Sequence, residues 1–180
     1  MWITIAIVAV ALLYFIAVYN GLIRRRVQVR EAWATIDTQL KRRYDLIPNL
    51  VNAVKGATDH ERGVLEAVTK ARTAAMKATG ADKKGDAENQ ITGALKSIFA
   101  LSENYPQLRA NENFLELQRE LTDTETKIQA ARQFYNTSVM SLNTNVEQFP
   151  SNVVAGIFKV GKEPFFEIAE TEKKAPKVQF

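Results

Sequence analysis

Cysteine is absent from the 180-residue chain, which excludes disulfides, thiolate metal sites and cysteine nucleophiles together. The absence is neutral as to compartment, since cytosolic and periplasmic chains can equally lack the residue. Histidine occurs once, at His60, so no multi-histidine metal centre can form. No window alternates apolar and polar residues with a period of two, and no strand is expected. Neither sign of charge dominates. The net +4 is too small to argue for nucleic acid without a concentrated basic patch. With 46% hydrophobic and 24% charged residues, the composition excludes wholesale disorder.

What is present starts at the N-terminus. WITIAIVAVALLYFIAVY, residues 2–19, carries no charge, and the uncharged run continues to Arg24. As a helix rising about 1.5 Å per residue it is long enough for the ~30 Å hydrocarbon core of a bilayer. A cleaved signal peptide places its basic residues before the apolar stretch. Here Arg24, Arg25, Arg26 and Arg30 follow it, so residues 1–23 are expected to be an uncleaved transmembrane anchor. With Lys41, Arg42 and Arg43 these arginines also set orientation by the positive-inside rule. The expected topology is single-pass in the cell (inner) membrane, N-terminus outside, with the remainder cytoplasmic.

Beyond the anchor, apolar residues recur at helical spacing. Val29, Trp33, Ile36, Leu40, Tyr44, Ile47, Val51 and Val54 fall three or four apart and form one stripe. Thr58 to Glu61 has the T-x-x-E form of a capping box, which starts a second helix near Asp59; one helix running through Gly56 is the alternative. GADKKGD, residues 80–86, reads as a loop, with a third helix from about Ala87 to Tyr105-Pro106. A fourth, opening near Ala110, carries Phe114, Leu117, Leu121, Thr124, Ile128, Ala131 and Tyr135 and stops at Phe149-Pro150. The fold class is therefore all-α: an N-terminal transmembrane helix followed by an antiparallel up-and-down four-helix bundle over residues 24–150. Residues 151–180 read as an apolar strap over the open end of the bundle, then a loose tail. Phe158, Phe165 and Phe166 beside Lys159 and Lys162 leave a bilayer interface as the alternative for that segment.

Chemistry is sparse. GIFKVGKE, residues 156–163, nearly fits a phosphate loop, but Glu163 replaces the hydroxyl residue and no strand precedes it. His60-Glu61 at a helix start suggests a phospho-accepting helix, yet no ATP-binding domain accompanies it. A di-metal bundle needs an E-x-x-H pair on each of two helices, which a single histidine cannot supply. No catalytic residue, metal or cofactor is expected.

KRRYDLIPNLVNAVK, residues 41–55, is the exception to the plain packing pattern. Arg42, Asp45, Asn49 and Asn52 run down the side opposite the core stripe and form a candidate interaction row. Arg42 and Asp45 are spaced to pair with each other. Pro48 lies inside the stripe, where it frees the Tyr44 carbonyl; a kink is expected there, with the stripe continuing on both sides.

Several dispersed pieces then identify a resemblance. They are YNGLIRRR (19–26), AW (32–33), IDTQLKRRYDLIPNLVNAVKG (36–56), His60-Glu61 and Ala71-Arg72. Later come ENYPQLRAN (103–111), FLELQREL (114–121), RQFYN (132–136), Asn143, Phe149-Pro150 and FFE (165–167). In this order they resemble the LemA family of bacterial membrane proteins. The resemblance implies a single anchor with a four-helix bundle and no accepted catalytic residues. It also implies proximity to membrane metalloproteases and, in one branch, magnetosome membranes. The expected function is a non-enzymatic scaffold or adaptor, its partners being the lipid bilayer and membrane proteins. The alternative is a homo-oligomer that organises membrane, using the small-residue step from Ala17 to Gly21.

Overall fold

Stripes of apolar residues at spacings of three and four wind almost all of the described chain into helix. The computed structural model describes residues 1–56 and 61–166. Its helices are α1 (Trp2–Lys55), α2 (Arg62–Lys77), α3 (Ala81–Ser102), α4 (Pro106–Arg109), α5 (Glu112–Glu147) and α6 (Ser151–Ile157). Among the described residues there is no strand, and the protein is all-α. Its chain groups into two compact units.

The first unit comprises Met1–Ile36 and Ala131–Phe165, that is, the first part of α1, the later part of α5, and α6. Leu22, Val29, Ala32 and Ile36 of α1 are buried, as are Tyr135, Val139 and Leu142 of α5 and Val154 and Ala155 of α6. Trp33 and Tyr135 pack with ring centroids 5.4 Å apart. The chain after α6 is held by two polar side chains of α5. Tyr135 donates its hydroxyl to the Pro164 carbonyl at 2.9 Å. The Asn143 amide donates to the Glu163 carbonyl and accepts from the Glu163 N–H, both at 2.9 Å. From residue 1 through Tyr14 every side chain is exposed. α1 is the helix long and apolar enough to cross a membrane, and none of its most apolar window is buried.

The second unit comprises Asp37–Ala130 and Phe166. Its buried apolar residues come from α1 (Leu40, Ile47, Leu50, Val54), α2 (Leu65, Val68), α3 (Ile91, Leu95, Ile98), α4 (Leu108) and α5 (Phe114, Leu121, Ile128). α2 packs on α3 across a short connection, residues 78–80. Gly80 adopts φ +85°, which costs glycine little and turns the chain there. α5 opens on Asn111, whose side-chain oxygen accepts the Phe114 N–H at 3.2 Å, an N-cap.

One expectation from the sequence needs correction, and two others meet further detail. Residues 81–86 are helical, not loop. Ala81, Gly85 and Ala87 are buried while Asp82, Lys83 and Asp86 face solvent, so this turn packs with small residues and lacks the bulky anchors a periodicity search requires. The segment from Ser151, expected as an apolar strap, is not without regular structure: residues 151–157 form α6. Nor do its three phenylalanines share one environment: Phe166 is fully buried, whereas Phe158 and Phe165 are exposed. α2 runs from Arg62, while the expected start near Asp59, with Thr58 and His60, lies outside the described residues; Glu61 accepts the Tyr105 hydroxyl at 3.2 Å. The tail from Glu167 also lies outside them.

Candidate functional site

α1 continues through Pro48 to Lys55, so the helix does not end at the proline. Tyr44 and Ile47 before it and Leu50, Val51 and Val54 after it are all buried, which keeps one core stripe on both sides. Proline has no amide to give the Tyr44 carbonyl four residues back. The vacancy is filled from another helix: Arg72 of α2 donates its Nε–H to the Tyr44 carbonyl at 2.7 Å. A charged donor thus replaces the missing amide, which explains how a helix interior tolerates the residue.

The candidate row lies on the opposite side of α1. Arg42, Asp45, Asn49 and Asn52 are exposed. Arg42 does not turn along its own helix to Asp45. It crosses to α5, placing Nη2 3.2 Å from Glu120 Oε2 and Nη1 3.9 Å from Asp123. Asp123 also pairs with Lys127 at 2.7 Å, and these contacts, the Lys127 bond first, hold its carboxyl below the usual range. Asn49 and Asn52 line an open groove of about 460 Å³, whose far wall is Asn113, Glu116 and Glu120 of α5. The groove therefore offers amides able to donate and accept, facing the Glu116 carboxylate and the Arg42-paired Glu120 on α5.

Directly behind this surface is a polar cluster that the sequence reading missed. Arg43 and Glu88 are each 2% exposed. Arg43 Nη1 lies 3.3 Å from Glu88 Oε2, while Nη2 reaches Thr92 Oγ1 and Glu125 Oε2, both at 2.8 Å. The Tyr44 hydroxyl donates to the other Glu88 oxygen. Burial raises the Glu88 carboxyl above its ordinary value, against the lowering effects of Tyr44 and Arg43. Burial, then the Glu88 charge, raises the Tyr44 phenol. A signal for this cluster existed. Glu88 continues the Ile91, Leu95, Ile98 stripe one step back, and Arg43 falls between Leu40 and Ile47 at spacings of three and four. A pocket of about 200 Å³ opens beside Arg43, Thr92 and Glu125, with Leu95, Phe99 and Leu121 among its lining residues. No group of three histidine, aspartate or glutamate residues suited to a metal occurs among the described residues.

Two of the arginines after the apolar run bond to their own helix. Arg24 Nε and Arg25 Nη1 donate to the carbonyls of Asn20 and Gly21, at 3.4 and 3.2 Å. Arg26 is half-buried and Arg30 exposed.

Together these features define an all-helical protein with an apolar N-terminal helix able to cross a membrane and a helical unit that carries ion pairs in its core. Residues 32–180 match the LemA family, and the chain belongs to it. Protein LemA of Metamycoplasma hominis is 26% identical over 174 residues, a stretch that covers 93% of this chain and 78% of that protein.

Proposed function

We propose that this protein is a non-enzymatic adaptor, anchored in the cell membrane through residues 1–23, that binds membrane proteins along the row Arg42, Asp45, Asn49 and Asn52. The observation that carries the reading is the groove beside the row. Asn49, Asn52 and Asn113 supply unburied amide groups, and Glu116 adds negative charge beside Glu120, which Arg42 already pairs. Such a lining suits an extended, basic segment of a partner, whose backbone the amides satisfy. A bend at Pro48 would turn the Asn49–Asn52 end of the row relative to Arg42.

Crosslinking in native membranes tests this, comparing the natural chain with Asn49→Ala/Asn52→Ala. Loss of specific crosslinked partners is expected, and an unchanged partner set refutes the adaptor role. The second reading, self-assembly through the anchor, draws on Ala17 being exposed; crosslinked dimers of the chain that survive the double substitution would favour it. Sidedness is separable, because the chain has no cysteine of its own. Single cysteines at Met1 and Lys84 should be labelled by an impermeant reagent at Met1 alone in intact cells. Labelling at Lys84 would reverse the orientation.

A further inference from the structure

We propose that α6 is a membrane foot: its outward side, with Phe158, sits in the headgroup–acyl boundary of the bilayer beside the anchor. The inference rests on the anchor reading of α1. α6 has two apolar sides. Val154 and Ala155 are buried, whereas Val153 and Ile157, spaced four apart on the other side, are 52% and 60% exposed. Phe149, just before the helix, is 77% exposed. An exposed apolar side on so short a helix calls for a covering partner.

The identity of that partner follows from depth. The Phe158 ring lies 4.4 Å from Tyr19 and 6.0 Å from Phe15, centroid to centroid. Both are residues of the uncharged run that ends at Arg24. Along a helix, Tyr19 and Phe15 lie about 7.5 Å and about 13.5 Å to the apolar side of Arg24. If Arg24 marks the headgroup level, Phe158 is held beneath it, at a depth comparable with the roughly 5–10 Å reached by interfacial helices. Charge agrees with this placement. Lys159 follows Phe158 and is exposed, and exposed Arg24 comes five residues after Tyr19, the ring partner of Phe158, so the chain supplies cations for anionic headgroups near that level. Lys162 is taken by Glu147 and contributes less.

The test uses the full chain in vesicles of phosphatidylcholine and phosphatidylglycerol. An environment-sensitive fluorophore is placed on single cysteines at Val153, Ile157, Leu12 and Lys127, all of which are exposed. Lipids carrying a nitroxide on the acyl chain serve as quenchers. The expected result is blue-shifted emission and quenching at Val153, Ile157 and Leu12, with neither at Lys127. Quenching at Leu12 without quenching at Val153 and Ile157 overturns the foot and leaves the anchor standing. No quenching at Leu12 overturns the anchor, and the foot with it. A blue shift at Ile157 that lipid does not quench, and that fades as the protein is diluted in lipid, assigns the surface to a second copy of the chain and overturns the proposal.

Discussion

The two units of this protein break different rules, although the first also buries one arginine, Arg132. The second hides charge: Arg43 and Glu88 lie in its interior, and Arg72 reaches a backbone carbonyl there. The first exposes apolar surface: its part of α1 is bare through Tyr14, and α6 leaves Val153 and Ile157 uncovered. Water is the wrong solvent for the first surface and unavailable to the second set of charges. The contrast teaches that each exception has its own compensation. Buried charges are answered by named partners within the unit, whereas bare apolar side chains call for a partner outside the protein.

The contrast breaks if the buried charges prove no more important than exposed ones. Arg43→Met should cost about 3–5 kcal/mol in denaturant unfolding of the full chain at neutral pH, because Glu88 is left unpaired. The cost should shrink as pH falls, because burial raises the Glu88 carboxyl and eases its protonation. Next is Arg72→Ala, expected to cost about 1.5–3 kcal/mol through the lost charged hydrogen bond. In a Pro48→Ala background the returned amide satisfies Tyr44, so the same substitution should cost much less; equal costs would detach Arg72 from the proline.

On the first unit's side, Asn143→Ala removes both bonds to the Glu163 backbone. A loss of about 1–2 kcal/mol is expected, with faster proteolysis of the chain after α6 as a second readout. Smallest is Arg42→Ala, whose exposed pairs with Glu120 and Asp123 should be worth under about 1 kcal/mol. An Arg42 effect equal to that of Arg43 would erase the distinction.

Glu88 sharpens the comparison through pH. Its folded-state value is raised by burial above an unfolded value of about 4.3. Below the unfolded value it is protonated in both states, and its contribution to stability is complete. As pH rises through the raised folded value the buried carboxylate ionises and that contribution is lost. Glu88→Gln cannot ionise. Its stability relative to the natural chain should therefore improve from about pH 4.5 toward neutrality. A trend in the opposite direction would mean that attraction to Arg43 outweighs burial.

Much of the helical plan is legible in the sequence, since Leu40, Tyr44, Ile47, Val51 and Val54 announce their buried side by spacing alone, and so do Ile91, Leu95 and Ile98. Reading failed where burial came without bulk or with charge. The opening of α3 packs through Ala81, Gly85 and Ala87, too small to register as a stripe. Arg43 and Glu88 occupy stripe positions but read as solvated because isolated charges avoid interiors; only the pairing across helices, invisible along one chain segment, reverses that. α6 spans seven residues, two turns at most, so periodicity cannot separate its two apolar sides. In the candidate row, exposure of Arg42, Asp45, Asn49 and Asn52 was readable, but the turn of Arg42 toward α5 depended on tertiary placement.

The bond from Arg72 to the Tyr44 carbonyl carries a consequence for descent as well as for stability. The guanidinium answers a vacancy that exists only while residue 48 is proline. A lineage that replaced the proline would remove the demand and let residue 72 drift; one that lost the arginine first would carry an unanswered carbonyl. Change is thus easier in one order than in the other, which couples two positions 24 apart in the chain (48 and 72) through a single carbonyl.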